Sequence, residues 1–545
     1  MPGLPSCGKP GKVWFPLGGG IGGNVTREEM LDRLDDRKEP WDMVLIGGGA
    51  TGVGAALDAA ARGHDVLLLE QSDFGKGTSS RSTKLVHGGV RYLQQGNVSL
   101  VMEALKERGI MRQNAPHLVH DLAFVVPNYT WWEAPFYGVG MKVYDLLAGR
   151  YGFGASRLLS PEETVARIPT IQTEGLRGGV VYYDGQFDDA RMLINLVRTA
   201  AEQGACLVNY CRVEGLTRNS SDFVDGVRAR DMESGREYEI RARVVLNCTG
   251  AFSDEVRRMD DPQAEALIAP STGVHIVLDK SFLPGETAIM VPRTTDGRVL
   301  FAIPWHDCVV VGTTDNPVDQ AVLEPIPTAE EVDFILENAH DYLKRPPTVQ
   351  DVRSVFSGIR PLVKASEDGN TAKLSRDHTI SISRSGLVTM AGGKWTTYRH
   401  MAEDLVNHAE TLADLEPRPC VTRSLSIHGF HKNAAKFGEL AAYGSDAPAL
   451  THLFRAEAGC DELIHPRLSV RVGEVVWAAR TEMARTVDDF LARRTRALIM
   501  DARAASEAAP VVARILADEL GRGEAWQQGQ VRDFQALAAA YLPRS

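Results

Sequence analysis

The chain has 545 residues, of which 44% are hydrophobic and 24% are charged, and these values are typical of a folded protein of two to four domains. Its net charge of −11 argues against a nucleic-acid-binding protein, whose binding surface would be basic. The sequence contains no run of about 18 apolar residues, so it predicts no transmembrane helix. The seven cysteines form no C-x-x-C pair. The composition therefore favours a reducing cytoplasm, free thiols and no bound metal.

The first 40 residues contain no motif that indicates a function. Glycine and proline are frequent up to Gly23. Thr26, with Glu29 three residues later, is typical of a helix start with a capping box. We expect a loose leader and a short helix over residues 1–40.

Residues 41–70 have the pattern of a β-α-β unit around a glycine turn. An apolar strand runs into Gly47, Gly49 and Gly52, which fit G-x-G-x-x-G. The first glycine permits the turn, the second lets the backbone approach a pyrophosphate, and the third lets the helix pack on the strand. The helix N-terminus then offers N–H groups to the phosphates. A second apolar strand ends at Glu70, whose carboxylate can accept hydrogen bonds from ribose hydroxyls, so the unit predicts an adenine dinucleotide site.

The following residues alternate between loops, helices and strands. Residues 71–96 are polar and glycine-rich and follow the dinucleotide unit directly. Helices are predicted over 98–113 and from Asp188 onward, and apolar strands at 207–210 and 243–250. The polar segment is too hydrophilic for a core, so we expect it to lie beside the ligand.

The pattern of predicted secondary structure changes twice in the second half of the chain. Short strands and turns between 271 and 315 predict an antiparallel sheet, interpreted as a domain inserted into the first. A last strand at 387–390 leads into Gly392, Gly393 and Lys394, and from about 397 the chain is predominantly helical.

With these segments in view, the chain resembles the FAD-dependent glycerol-3-phosphate dehydrogenases, which belong to a larger group of D-amino-acid-oxidase-like flavoproteins. Trp395 stands where that family more often has leucine, and Cys248 where alanine is usual. Neither difference removes a functional group. The resemblance is carried by separated motifs in a fixed order: 46–52, 78–93, 188–191, 247–251, 275–277, 303–305, 312–315, 357–362, 375–377, 392–399 and 486–496.

The resemblance implies an α/β fold in three parts: a Rossmann-type FAD-binding domain, an inserted antiparallel-sheet substrate domain and a C-terminal α-helical cap domain. The FAD-binding domain is expected to be discontinuous, and the cap to begin after about residue 405. The expected boundaries are 41–110, 170–265 and 355–405 for the FAD-binding domain, 111–169 and 266–354 for the substrate domain, and 406–545 for the cap.

The resemblance also implies the cofactor and the residues that hold it. The cofactor is FAD, with donors for its phosphates and ribityl chain in the polar loop, and with backbone of the 212–213 pair near the adenine. The expected cofactor-binding residues are Gly47, Gly49, Gly52, Glu70, Thr78, Ser79, Ser80, Val213, Gly250, Gly393, Lys394 and Thr396.

Cations in apolar or glycine-rich motifs are the expected substrate ligands, because planar arginines bind phosphate through two hydrogen bonds. By resemblance, Arg91 and Arg360 hold the substrate, and Arg376 and Lys394 lie near the isoalloxazine, where positive charge stabilises the reduced ring. A structural salt bridge is the alternative for each cation.

The catalytic base stays open between two histidines, because either neutral imidazole could take the substrate hydroxyl proton. His87 lies between an apolar pair and two glycines, four residues before Arg91, and His275 is the rival base and a further substrate ligand. His87, Arg360 and Lys394 are the expected catalytic residues.

The implied reaction is oxidation of sn-glycerol 3-phosphate to dihydroxyacetone phosphate, with electrons passed to a membrane quinone. The alternatives are an oxidase that passes electrons to oxygen, a related flavoenzyme acting on a 2-hydroxy acid or amine, and a non-catalytic FAD-binding scaffold. A cytoplasmic protein with peripheral contact to the cytoplasmic membrane is expected, and a homodimer stays open. The basic run 493–496 favours a packed cap face, with lipid contact as its alternative.

Overall fold

A computed structural model of the protein describes residues 26–89, 93, 97–364 and 378–544. Arg91, Arg376 and residues 1–25 of the predicted leader lie outside the described residues. The helices are α1 (Arg27–Asp36), α2 (Ala50–Ala61), α3 (Val98–Asn114), α4 (Glu133–Ala148), α5 (Pro161–Arg167), α6 (Asp189–Glu202), α7 (Ser253–Asp260), α8 (Ala329–His340), α9 (Tyr398–Leu412), α10 (Ala447–Ala456), α11 (Val472–Thr481), α12 (Ala497–Met500), α13 (Ala502–Leu520) and α14 (Glu524–Ala540).

The strands are β1 (Trp41–Ile46), β2 (Val66–Leu69), β3 (Leu85–Val86), β4 (Val119–Asn128), β5 (Arg157–Leu159), β6 (Gly178–Phe187), β7 (Cys206–Val208), β8 (Cys211–Arg218), β9 (Val224–Asp231), β10 (Glu237–Asn247), β11 (Ile268–Asp279), β12 (Thr287–Val291), β13 (Leu300–Trp305), β14 (Cys308–Gly312), β15 (Asn316–Pro317), β16 (Val352–Val363), β17 (His378–Ile382) and β18 (Val388–Gly392).

The first sheet is built around the predicted β-α-β unit. Its strand order is β17-β18-β10-β1-β2-β7, and β8 and β9 extend it beside β10. The strands from β18 to β7 pair in parallel. β1 and β2 are apolar almost throughout because helices cover both faces of the sheet. The predicted Rossmann-type unit is confirmed, and its strands bring their carboxyl ends to one edge.

The second sheet has ten strands in the described part of the chain, in the order β15-β11-β14-β13-β12-β4-β6-β3, with β16 beside β11 and β5 beside β6. Its pairs are antiparallel except for β12 with β4, so the predicted antiparallel sheet is confirmed. β6 and most of β16 fall in stretches expected to belong to the FAD-binding domain, yet both pair in this sheet. The domain boundaries stay a prediction.

Several segments of the described chain pass between the two sheets, and the first of them contributes to the site. Residues 70–84, named here the crossing loop, join the end of β2 to the start of β3. The crossing loop contains the polar residues that the sequence places beside the ligand, so it lies where the two sheets meet.

The last 130 residues form a largely helical cap. Its core is rich in alanine and leucine from α10, α11, α13 and α14, and it also packs on Val277 of β11 and Phe356 of β16. The predicted helical C-terminal region is confirmed. The cap rests on the second sheet, and through a π-helical turn at Asp489–Arg494 it also reaches the crossing loop.

Candidate active site

A cleft of about 1350 Å³ opens at the carboxyl ends of the parallel strands. Ligands of open α/β sheets bind at this edge, where strands on either side of β1 diverge. The cleft brings together most residues expected to bind the cofactor: Gly47, Gly49, Glu70, Thr78, Ser79, Val213, Gly250, Gly393 and Lys394. The expected residues Gly52, Ser80 and Thr396 do not line it.

The glycine turn has the close packing that its sequence predicts. Gly47 has φ +106°, a left-handed conformation that favours glycine. A Cβ on Gly52 would lie 2.0 Å from the carbonyl oxygen of Gly47, so the third glycine permits the turn without reaching the ligand. Gly49 caps α2 with no side chain, and the first helical N–H group, of Ala50, donates to Ser79 Oγ at 3.0 Å. The N-terminus of α2 therefore faces the cleft.

Glu70 lies at the rim of this turn. Its carboxylate accepts hydrogen bonds from the backbone N–H groups of Gly48 (2.6 Å) and Ser72 (2.9 Å). Burial raises the pKa of Glu70, and the two backbone hydrogen bonds oppose that shift. The carboxylate thus fixes the turn, and each oxygen keeps a lone pair for a ribose hydroxyl.

A second chamber of about 1040 Å³ adjoins the cleft. The two share Thr78, Gly393, Lys394 and Trp395. The chamber brings together residues from β3, β11, β16 and the segment after β18, which are distant in the chain: Thr83, His87, Gly273, His275, Arg360, Lys394 and Thr396. The predicted substrate residues that the structure describes therefore meet next to the predicted cofactor site.

Arg360 is held in place by oxygen acceptors. Its guanidinium donates to the carbonyl oxygen of Thr272 (3.0 Å) and to Asp315 Oδ1 (3.1 Å), and also to Thr314 O (3.0 Å). Its side chain lies across Gly273, where a Cβ would come within 2.4 Å of Nη2. The guanidinium is thus fixed in orientation at the chamber wall.

The two candidate bases differ in their surroundings. His275 is 2% exposed, stacks on Phe356 with ring centroids 4.8 Å apart, and has Nε2 3.0 Å from Thr83 Oγ1. Burial, and then the charges of Lys84 and Arg360, hold its pKa well below the usual range. His87 is half-buried on the chamber wall, and its backbone N–H donates to Thr396 Oγ1 at 3.4 Å.

Sequence reasoning gave no role to three residues that complete the site. Asp315 orients Arg360, Thr83 contacts His275, and the Trp395 indole N–H donates to the carbonyl oxygen of Ser79 at 2.8 Å. Each lies in a motif quoted above, but its partner is distant in the chain. Only the pairing of the two sheets brings the partners together.

A third chamber of about 990 Å³ opens from the substrate side. It shares Thr83, Leu85, His87 and Arg360 with the second chamber. Part of its remaining wall is apolar, with Phe124, Tyr182, Met290, Val299 and Phe301, and part is polar, with Asp184, Arg298, Thr313, Thr314 and Asp315.

Helix α4, which covers this region, exposes large apolar side chains to the surface. The exposed fraction reaches 77% for Trp131 and 80% for Leu146, and the spacing between Trp132 and Leu146 alternates four and three residues. The exposed residues at this spacing are Trp132, Phe136, Val139, Val143 and Leu146, and Trp131 is exposed in the turn before the helix. Among the described helices, none is long and apolar enough to cross a bilayer.

The basic run near the C-terminus is buried in the structure. Arg493, Arg494 and Arg496 are 1–3% exposed and pair with the carboxylates of Asp73 and Asp189, outside the cap. The prediction of a packed cap face is confirmed, and this run does not reach the surface.

Two family profiles match the chain. One, described as "FAD dependent oxidoreductase", matches residues 42–399, and one described as "C-terminal domain of alpha-glycerophosphate oxidase" matches residues 387–527. Together they span both sheets and the cap as far as the start of α14.

Named proteins are similar over nearly the whole chain. The probable mitochondrial glycerol-3-phosphate dehydrogenase of Caenorhabditis elegans is 40% identical over 537 residues, covering 93% of this chain and 74% of that protein. The mitochondrial glycerol-3-phosphate dehydrogenase of Homo sapiens is 39% identical, covering 95% of this chain and 76% of that protein. The solved glycerol-3-phosphate dehydrogenase of Bacillus halodurans, complexed with FAD, is 29% identical with a TM-score of 0.78, and the match covers 95% of this chain and 98% of that one. The chain therefore belongs to the FAD-dependent glycerol-3-phosphate dehydrogenase family.

Proposed function

We propose that this enzyme oxidises sn-glycerol 3-phosphate to dihydroxyacetone phosphate and passes the electrons to a membrane quinone. The observation that carries the proposal is the meeting of Arg360, Lys394 and His87 in a chamber open to the cofactor cleft. A scaffold that only bound FAD would not need an oriented cation and a titratable imidazole at that junction.

The cleft has the shape and donors that FAD requires. The cradle at Gly47 and Gly52 leaves no room for a side chain, so backbone can approach a pyrophosphate. Glu70 marks the ribose end, and Thr78 and Ser79 offer hydroxyls farther along the wall. When bound there, FAD supplies an acceptor for hydride at N5 of its ring system.

The residues of the chamber would bind and deprotonate the substrate. Arg360 presents a fixed guanidinium to the phosphate, and the family motif adds Arg91 as a second phosphate ligand. Lys394 lines both cavities, so it would hold positive charge where the substrate meets the ring. The C2 hydroxyl gives its proton to the base, the C2–H bond breaks with its electron pair, and the C2–O bond becomes a carbonyl. Arg376 is proposed to add charge near the same ring.

We assign the base to His87. General bases work best when the pKa lies near the operating pH, and burial beside Lys84 and Arg360 makes His275 a weak proton acceptor. His275 instead would orient Thr83 and the chamber wall. Replacing His87 by Gln is expected to lower kcat about 10²-fold or more and to remove the acidic limb of the pH profile. If His275→Gln removes that limb and His87→Gln does not, the assignment is reversed.

A quinone acceptor is supported by the aromatic side of the third chamber. A planar ring suits the part of the wall that Phe124, Tyr182 and Phe301 form. Phe124 and Tyr182 belong to a hydrophobic core cluster that also contains Tyr137 and Met141, on the inner face of α4. A lipid-soluble acceptor could therefore reach the chamber from the side that α4 covers.

The exposed face of α4 is proposed to rest on the lipid surface. Aromatic residues at one end of an apolar stripe are typical of interfacial helices. The two acidic side chains of α4 are half-buried and hydrogen-bonded: Glu133 accepts from the N–H groups of Tyr129 and Thr130, and Asp145 from that of Ser156. Arg150, just past the helix, is exposed. The exposed side chains of the stripe itself are therefore apolar, and the proposed contact rests on their burial in lipid.

Anaerobic reduction tests the reaction itself. The purified protein is expected to be yellow, to be bleached by glycerol 3-phosphate, and to recover its colour on addition of a soluble quinone analogue. A flavin untouched by this substrate, but bleached by a 2-hydroxy acid or an amine, would contradict the proposed substrate. Stoichiometric hydrogen peroxide on reoxidation in air, with no reaction towards the quinone, would make the protein an oxidase.

Flotation with vesicles of phosphatidylcholine and phosphatidylglycerol tests the lipid contact. The double variant Trp131→Ser, Leu146→Ser is expected to lose vesicle binding, whereas Val322→Ser, at another exposed apolar position, keeps it. If the double variant floats like the wild type but changes from dimer to monomer in sedimentation, the face binds a second copy of the chain instead.

A further inference from the structure

We propose that the basic run of the cap positions the crossing loop, so that FAD binding depends on the cap. Arg493, Arg494 and Arg496 would act as positioning residues, because none lines the cleft or the chambers. Each bonds to a residue of the crossing loop, either Asp73 or the carbonyl oxygen of Ser80. The inference rests on the family's cofactor and is independent of the proposed substrate.

The first anchor is at the start of the crossing loop. Asp73 is fully buried and accepts hydrogen bonds from Arg493 Nε (2.5 Å), Arg494 Nη1 (2.7 Å) and Arg494 Nη2 (2.9 Å). Two residues later, the N–H of Gly75 donates to the carbonyl oxygen of Gly48 at 3.0 Å. The cap thus fixes Asp73 close to the point where the loop is tied to the glycine turn.

The second anchor is at the end of the loop. Arg496 Nη2 donates to the carbonyl oxygen of Ser80 (2.6 Å) and to Asp189 Oδ1 (3.0 Å). Asp189 Oδ2 accepts from the N–H of Ser82 (2.9 Å) and from Lys84 Nζ (2.7 Å). Arg496 and Lys84 both have φ +64°, an unfavourable conformation for residues with side chains. Such residues persist where the surroundings over-determine them, as these ion pairs do.

The residues between the two anchors touch both ligand cavities. Thr78 and Ser79 line the cleft, and Thr83 lines the substrate chamber beside His275. Between Gly75 and Thr83 the loop has no large apolar side chain, so hydrophobic burial can contribute little to its position. The buried ion pairs therefore fix its two ends, and the hydrogen bonds from Ala50 and Trp395 to Ser79 and from Thr78 to Ile359 hold its middle.

The burial of the charges makes this dependence strong. A buried carboxylate without its partner is costly, so Asp73 and Asp189 favour conformations in which the arginines reach them. Asp489, also fully buried, accepts from Arg493 Nη2 at 2.8 Å and from the Tyr210 hydroxyl at 2.7 Å. The network joins the cap, the crossing loop and the segment after β7 into one unit.

Cofactor affinity tests the inference without any use of substrate. The variants are Asp73→Asn and Arg494→Lys, and the control is Arg480→Lys, which alters an ion pair with Glu457 and Glu519 inside the cap. FAD is titrated into apo-protein and followed by quenching of flavin fluorescence, while circular dichroism reports folding. We expect the Kd for FAD to rise at least tenfold in Asp73→Asn and Arg494→Lys and to stay within twofold in Arg480→Lys.

A second measurement separates positioning from simple destabilisation. Limited proteolysis of the apo-proteins should cleave within 71–84 faster in Arg494→Lys than in Arg480→Lys, at temperatures where both are folded. If Asp73→Asn does not fold, Arg494→Lys decides. A Kd for FAD within twofold of wild type in the folded loop-anchor variants, or an equal rise in Arg480→Lys, would overturn the inference.

Discussion

Arg360→Ala is the sharpest test of the proposed substrate site. The substitution removes a guanidinium whose side chain is 25% exposed and which is held by Thr272, Thr314 and Asp315. It leaves the carboxylate of Asp315, the hydrogen-bond partner of Arg360, next to the substrate chamber, so a phosphate would approach a carboxylate instead of an arginine. FAD contacts should be unaffected because Arg360 does not line the cofactor cleft.

The expected loss follows from the interactions removed. Hydrogen bonds between charged groups contribute about 1.5–3 kcal/mol, and repulsion from Asp315 adds about 1 kcal/mol in a water-like medium. A loss of about 2.5–4 kcal/mol corresponds to a rise in KM of roughly 10² to 10³-fold. The phosphate is bound alike in the ground state and the transition state, so kcat should change little.

Steady-state kinetics with an artificial electron acceptor measure the effect, and the flavin absorbance reports cofactor content. Arg353→Ala is the matched control, because Arg353 lies on the same strand and pairs with Asp279 away from the chamber. It should keep KM within twofold. Adding Asp315→Asn to Arg360→Ala should recover part of the affinity. A normal KM with a lowered kcat in Arg360→Ala would refute the phosphate-binding role.

Three further outcomes test the fold and its charges. Gly52→Ala should abolish FAD binding in a fluorescence titration, because the new Cβ would lie 2.0 Å from Gly47 O; retained affinity would show that the turn can shift. Burial lowers the pKa of His428, but hydrogen bonds to Asp446 and Glu202 more than offset it, so the net shift is upward. Protonated His428 therefore contributes stability that is fully present below pH about 6.5 and is lost as pH rises through the folded-state pKa. The difference in melting temperature between wild type and His428→Gln should then become smaller from pH 6 to pH 8. A difference that stays constant would contradict this. Burial raises the pKa of Cys248 to about 12, so iodoacetamide should leave it unmodified at pH 8 in the folded protein, as mass spectrometry would report.

Local features of the fold could be predicted because their causes lie close together in the sequence. The turn at Gly47, the acid at Glu70 and the helix expected over 98–113, which is observed as Val98–Asn114, each follow from spacing within one or two elements. Buried parallel strands are continuously apolar, and helices repeat every three to four residues, so both leave a readable pattern.

Strand partners and buried ion pairs could not be predicted in this way. β6 and β16 look like any apolar strand, and nothing in their composition says which sheet they join. Likewise, nothing near Asp73 in the sequence indicates a buried ion pair, because its partner Arg494 lies more than 400 residues later in the chain. The convergence of His87, Arg360 and Lys394 was expected only because the motifs resemble a family, not because of their spacing.

The geometry of the site depends on how the two sheets are joined. The cofactor cleft belongs to the first sheet, and Arg360 and His275 belong to the second, so the distance between cofactor and substrate is set by the segments that cross between them. The crossing loop is one such segment, and between Gly75 and Thr83 it has no large apolar side chain whose burial could hold it. A chain without the cap would leave Asp73 with neither guanidinium to neutralise it. The cap would then be part of the catalytic unit rather than an appended domain, because it would fix a loop that joins the cofactor sheet to the substrate sheet.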